Sequence, residues 1–450
     1  MKRSMGKCLA LIMALTMLFS LAACSSGGKE PKKDDTQPTN TGGDTAKGDE
    51  GEAPDTAGDS GLTYDGDEVT ITYWHTHGDA EEKVLKEEIV PEFEKQFPKI
   101  HVKLVRMPYD GLKQQIIQGV SSGTAPDLMR MDIIWISEFA KMGALVPVDD
   151  LPGFAELKDQ FFEGPLSTNY YDGKYYGVPL NTNCLGGCWS KTLLDQLQIS
   201  ELPTTYDEVL ALKDKLGEGQ YLFSAEGANT WALAPLFYSL GGHYTNEDFT
   251  KATGYMNSDA SVKALETIVK WYDEGILGPA TMGGKPDVAN GLFRGNYLFS
   301  YQGPWFYTNN KEEDIAKVQS GMLPAGDGGS VTVVGGEDLC MFSSGKNQEA
   351  SWVFARFLLG EFAQKAQALG GGRLIPTIKE YANSEEVMAV ENMDVYVQQL
   401  ETAVSRTPHP NWEKMSDKLN KLFESCLRHE AEPKAALDKL AGEADALLAE

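Results

Sequence analysis

Cysteine is scarce in this chain, 6 in 450 residues. That density excludes a disulfide-built scaffold, the device of small secreted domains that lack a core. Basic residues are also few, 40 Lys and Arg against 66 Asp and Glu, a formal charge of −26. A chain this acidic has no global attraction for nucleic acid or anionic lipid, so tracking a phosphate backbone is excluded as its main work. The one long apolar run, Leu9 to Ala23, is 15 residues broken by Thr16 and Ser20. A helix needs ~20 residues to cross a bilayer, so a multi-spanning membrane protein is excluded. No His-Glu-x-x-His or phosphate-loop motif occurs, and no repeat of period 20–50. What is present is an ordinary globular composition, 42% hydrophobic and 24% charged. It allows a sizeable core and about three domains, or fewer and longer ones if the fold is α/β.

Lys2, Arg3 and Lys7 precede the apolar run, the order of a secretory signal. The run ends in Leu21-Ala22-Ala23-Cys24, followed by Ser25-Ser26-Gly27-Gly28. This stretch resembles the lipobox of bacterial lipoproteins, which implies cleavage after residue 23 and acylation of Cys24. Acyl chains then hold the protein on a membrane. Residues 24–66 are rich in Gly, Asp, Thr, Pro and Lys, with no aromatic before Tyr64. Such a segment cannot bury enough apolar surface to order itself, and as a tether it reaches ~35 Å. The expected location is the extracellular face of the cell membrane, on a Gram-positive-type surface.

From Val69 onward the pattern alternates. Val69 to Trp74 is a period-two, β-branched strand, and Ala80 to Gln96 is an amphipathic helix stopped by Pro98. Strand 100–105, helix 112–121, strand 126–131 and helix 133–141 follow. Strand 176–180 and helices over 191–198, 206–216, 230–240, 261–274, 347–360, 398–405, 412–429 and 433–448 continue to the end. This rhythm predicts an α/β fold with crossover helices.

Several stretches together resemble the extracellular solute-binding proteins of ATP-binding-cassette importers, in the carbohydrate-binding branch of maltose-binding protein. They are Phe93 to Pro98, Ser122 to Leu128, Gly143 to Asp149, Gly173 to Pro179, Gly303-Pro304-Trp305, Gly370 to Pro376 and Glu432 to Leu437. Their order spans Val69 to Glu450. The resemblance implies two α/β lobes of the type II periplasmic-binding-protein-like fold, closing on a ligand between them. Lobe one is expected at 67–178 plus 328–377 and lobe two at 179–327 plus 378–450, with a second crossing near Leu323 to Gly326. It implies a monomer that needs no cofactor, does no catalysis, captures a sugar or oligosaccharide and hands it to the permease subunits. Alternatives within the fold are a polyamine, a glycerol phosphate or another small solute. A secreted glycan hydrolase is the alternative of another class, since 66 acidic residues always supply a carboxylate pair.

A sugar offers hydroxyls at its rim and C–H groups on its faces, so its site needs aromatic faces and planar polar groups. The candidates are residues at strand ends that match cleft positions of the family. They are Trp305, Asp132, Trp231, Trp74, His75, His77, Trp135, Asn181, Asn183, Glu337, Arg373 and Tyr109. Glu226 and Asn229 precede the helix that carries Trp231, and Asp127 reads as a turn brace. His75, His77 and Asp79 also permit a metal reading, of low specificity without further ligands. Cys184 and Cys188 read as ordinary buried thiols, because a strand would hold their Cα atoms ~13 Å apart and a bridge would require a turn at Gly186-Gly187.

Overall fold

The computed structural model describes residues 62–370 and 372–450. The signal peptide, Cys24 and nearly all of the tether lie outside the described residues. The strands are, in chain order, β1 (Val69–His75), β2 (Ile100–Arg106), β3 (Leu128–Asp132), β4 (Tyr170–Tyr171), β5 (Lys174–Tyr175), β6 (Val178–Asn183), β7 (Gly186–Ser190), β8 (Tyr221–Ser224), β9 (Tyr297–Gln302), β10 (Val318–Gly321), β11 (Thr332–Val333), β12 (Gly335–Met341), β13 (Ile375–Pro376) and β14 (Ala403–Val404).

Two larger sheets organise the chain. The first has the order β13-β6-β12-β3-β1-β2, the second β10-β7-β9-β8. In the first, β1 is parallel to β2 and β3, while β12 runs antiparallel to β3 and β6. The chain passes from the first sheet to the second at Cys184-Leu185, between β6 and β7. It returns at Val334, between β11 and β12. At Ala325 it is still tied to Thr204 and Tyr206 beside the second sheet, so the return comes later than Leu323 to Gly326. A short parallel pair, β11 with β14, sits at this crossing.

Alternation in β1 sends Ile71 and Tyr73 into one apolar cluster and Trp74 toward another, on the opposite face of the sheet. The helix after β1 begins at Asp79 and contains a π turn, Leu85–Ile89, just before Pro91. Pro91 has no N–H to donate backward, and the wider turn absorbs that loss. The second sheet is covered by helices Thr230–Ser239, Asp259–Asp273, Trp412–Leu427 and Pro433–Leu448. Their apolar faces share one core with Trp189, Phe223 and Phe299.

Three expected helices are corrected. The segment 206–216 forms a helix only over Tyr206–Leu210, because Leu212 to Lys215 tightens into a 3-10 turn. The helix expected from 133 starts at Ile136, since Asp132 bonds the Ile134 amide and holds a turn there. The helix expected over 398–405 lies at Met393–Leu400 instead, because residues 403–404 extend to pair with β11. Cys184, Cys188, Cys340 and Cys426 are all free and buried.

Candidate functional site

In α/β sheets, ligands bind beyond the carboxyl ends of the parallel strands. Here β1 and β3 end at His75 and Asp132. β6 arrives at that edge with Asn183, and antiparallel β12 starts there with Gly335. Register places Glu337 opposite Asp132 on one side and Asn181 on the other. Directly paired residues project to the same face, so three of the expected polar groups sit side by side.

Arg130 joins them from two positions before Asp132. It is 4% exposed. Its Nε donates to Asn181 Oδ1 at 3.2 Å, Nη1 to Thr76 Oγ1 at 2.7 Å and Nη2 to Glu337 Oε2 at 2.7 Å. Asn181 Nδ2 donates to the same Glu337 oxygen at 2.6 Å. Burial holds the Glu337 carboxyl above the usual carboxylate range, and the Arg130 guanidinium offsets only part of that rise. A buried charge this well paired holds its neighbours in one geometry.

Asp132 is the next member. Its Oδ2 accepts from the Tyr109 hydroxyl at 2.8 Å and its Oδ1 from the Ile134 amide at 3.0 Å. Arg406 Nη2 lies 3.6 Å from Oδ1. Tyr109 stacks on Trp135 with centroids 5.4 Å apart. Trp135 is buried, and its Nε1 donates to Glu413 of the helix Trp412–Leu427. Lys113 donates to Glu413 as well, and to Glu138 at 2.6 Å.

The second sheet supplies the aromatic side. Trp305 opens a short helix just after β9, and its ring folds back over Gly303. A Cβ on Gly303 would stand 2.1 Å from that ring, so the fold-back needs glycine. Trp231 lies in the first turn of a helix capped by Asn229, whose Oδ1 accepts from the Ala232 amide at 2.9 Å. The two indoles are 6.1 Å apart at 31°. Trp231 and Asn183 both press on Gly335, where a Cβ would meet Asn183 Oδ1 at 2.1 Å and the indole at 2.7 Å. The Arg406 guanidinium covers Trp231 at 4.7 Å. Glu226, at the end of β8, is exposed.

Thus Trp305, Trp231, Asn183, Asn181, Glu337, Asp132, Tyr109 and Trp135 belong to one connected cluster drawn from both sheets. Four candidates do not join it. Trp74 packs against the core beneath β3. His75 and His77 are buried with ring centroids 5.1 Å apart, facing Glu82 and Glu81 of the following helix. Burial pushes His75 down to about 3 and His77 down to about 4. Arg373 is tied to the Glu391 carbonyl at 2.7 Å and stacks over Tyr307. Asp127 braces β1, accepting from the Thr72 amide at 2.9 Å.

Sequence reasoning missed Arg130, Arg406, Lys113 and Glu413. Arg130 carried a usable signal, a lone charge inside an otherwise apolar strand. The other three carried none. The stretch Gly119 to Gly123 spells Gly-x-Ser-x-Gly, a pattern of serine hydrolases. That chemistry needs a strained strand-to-helix turn. Here Ser121 sits inside the helix Leu112–Ser122 and donates to the Ile117 carbonyl. A cavity of about 20 Å³ beneath the first sheet, beside Tyr73, His77 and Gln367, has the size of a water.

A family model described as bacterial extracellular solute-binding protein matches residues 88–394. A Brucella abortus protein named as a putative binding protein is 26% identical over 369 residues, 80% of this chain and 89% of that one. The maltotriose-binding protein of Pyrococcus abyssi is 23% identical over 331 residues, covering 70% of this chain and 68% of its own. Among solved structures, the GacH receptor of Streptomyces glaucescens superposes with a TM-score of 0.74 at 22% identity, over 85% of this chain and 98% of that one.

Proposed function

The chain belongs to the bacterial extracellular solute-binding proteins, and from that premise we propose that it captures a sugar or oligosaccharide between its two sheets. It then delivers the ligand to the permease subunits of an importer. The observation that carries the sugar reading is the division of labour in the cluster. Trp231 and Trp305 bring aromatic faces from one side, and Asp132, Asn181 and Glu337 bring paired polar groups from the other. Indole faces suit sugar C–H groups, and carboxylates and amides suit adjacent hydroxyls. A relative named for maltotriose supports the same class.

The lobes follow the sheets, with the bounds at 178 and 328 moved to the switches at Cys184 and Val334. Cys24 carries the lipid, residues 24–66 are the tether, and the protein works as a monomer on the outer face of the membrane. Its work is binding rather than catalysis, a reading the match to the solute-binding family supports.

The test is a thermal-shift and calorimetric screen of the protein against mono-, di- and trisaccharides, polyamines and glycerol phosphate. A ligand at ~1,000 times its dissociation constant adds about 4 kcal/mol to stability. The expected result is a shift with a saccharide and no product by chromatography. Trp305→Ala and Asp132→Ala should each weaken that binding at least tenfold while the protein stays folded. Unchanged affinity in both variants would remove the site, and a shift with polyamine alone would replace the sugar.

A further inference from the structure

We infer that Arg406 is a ligand-contacting residue that selects which sugar hydroxyls the site accepts, an inference that rests on the saccharide reading above. Arg406 follows β14, beside the crossing where the chain returns to the first sheet. Its Nε donates to the Val334 carbonyl at 3.1 Å, within that crossing. From this anchor the guanidinium reaches both sides of the cluster. One face lies 4.7 Å over the Trp231 ring, and Nη2 stands 3.6 Å from Asp132 Oδ1.

The hydrogen-bond accounting is what points to a ligand. An arginine has five N–H donors in a rigid plane. Nε uses one on Val334. At 3.6 Å the Asp132 carboxylate attracts the charge but stands beyond hydrogen-bond reach. Among the described residues, nothing accepts from Nη1 or Nη2 at hydrogen-bonding distance. The side chain is only 13% exposed, and its unspent Nη groups keep some contact with solvent, so a ligand can reach them. Arg130, by contrast, spends all three of its nitrogens on Asn181, Thr76 and Glu337.

Four unspent donors in a plane, beside an aromatic face and a carboxylate, match neighbouring ring hydroxyls. The two Nη groups would donate to adjacent oxygens, Asp132 would accept from one of the same hydroxyls, and Trp231 would support the ring. A ligand whose hydroxyls leave those donors unmet would keep a buried charge underhydrated and would bind weakly. The anchor on Val334 matters too. It fixes the fork at the crossing, so specificity is read at the base of the site.

The experiment is titration calorimetry of the full chain with maltose, maltotriose and diacetylchitobiose, followed by monodeoxy analogues of each saccharide that binds. Parent, Arg406→Lys and Arg406→Ala are compared. Lysine keeps a cation near Trp231 and Asp132 but loses the fork. The expected loss is about tenfold to hundredfold for Arg406→Ala and an intermediate loss for Arg406→Lys. For at least one monodeoxy analogue, already weak with the parent, both variants should cost little more. That selectivity is a readout a packing role would not produce. If the variants bind every saccharide and analogue as the parent does, or weaken all by one factor, the inference is overturned and the sugar reading stands. If the parent binds none of the saccharides, both fall. Should Arg406→Ala fail to fold, Arg406→Lys carries the same comparison.

Discussion

Glu413 joins the two halves of the molecule, and the energy of that join can be worked out and measured. The residue opens the helix Trp412–Leu427, which is part of the second sheet's core. Its carboxylate accepts from Lys113 and Trp135, both on the first sheet's side. Burial works against the Lys113 ammonium, but Glu138 and Glu413 outweigh it and raise its pKa. Glu413→Ala removes two interactions of different worth. Lys113 keeps Glu138 at 2.6 Å, so that loss is a partial ion pair of about 0.5–1 kcal/mol. The Trp135 N–H has no such substitute and is left buried, at a cost of about 1–3 kcal/mol. The sum is about 1.5–4 kcal/mol.

The assay is a double-mutant cycle. Trp135→Phe removes the donor while keeping an aromatic ring. Unfolding of the parent, Glu413→Ala, Trp135→Phe and the double variant is followed by calorimetry. With an unfolding entropy of about 2.1 cal/mol/K per residue, the single Glu413→Ala change lowers the midpoint by about 2–5 °C. The coupling energy between the two sites should exceed about 1 kcal/mol. If the join forms only when the lobes meet, affinity for the proposed sugar falls about tenfold for each 1.4 kcal/mol of the join that is lost. Additive effects, with coupling below about 0.3 kcal/mol, would refute the join as an energetic link.

Two further predictions concern pH. Burial holds Asp338 protonated up to about 8 in the fold, against about 4 for an unfolded chain. Between those values the folded chain binds a proton that the unfolded chain lacks, so stability falls as pH rises, by up to about 1.4 kcal/mol per unit. Asp338→Asn should match the parent near pH 4 and gain steadily on it by pH 8; parallel melting curves would refute this. His75 acts in the opposite sense. Burial pushes it down to about 3, so the stability present above pH 6.5 is lost as pH falls toward that value. Neither ring nitrogen has a hydrogen-bond partner among the described residues, so His75→Phe should fold and should melt higher than the parent at pH 5. An unchanged difference between pH 5 and pH 8 would count against it.

Local pattern made much of the fold legible. β1, β2 and β3 and the two closing helices were readable because each has its own period and its own stop, such as Pro98 or the Glu432-Pro433 start. β7 was not, because it opens with two glycines and its strand state depends on pairing with β9 and β10. The helix near 398 was misplaced for a similar reason. Residues 403–404 are extended because β11, some 70 positions earlier, offers them a partner. In each case a distant neighbour set the local state.

The site divides along the same line. Asp132 was singled out because it ends a readable strand, Asn181 because it follows one, and Glu337, Trp231 and Trp305 because each follows a glycine- or amide-bearing turn. Those positions are local facts. Arg406 and Glu413 are defined by what they touch, and Trp135 and Glu413 stand 278 positions apart. His75 and His77 show the converse error. Their spacing was read correctly as one face of a strand, but that face turns toward Glu81 and Glu82 and is sealed by the next helix. Strand spacing reports which residues share a face; which face meets the other sheet follows from the order β13-β6-β12-β3-β1-β2, and β1 lies two places from β12 in it. The proposed ligand site therefore lies on β3, β12 and β6, where the chain changes sheets. The search for further specificity residues belongs at Cys184-Leu185 and at Val334 to Gly336, next to Arg406.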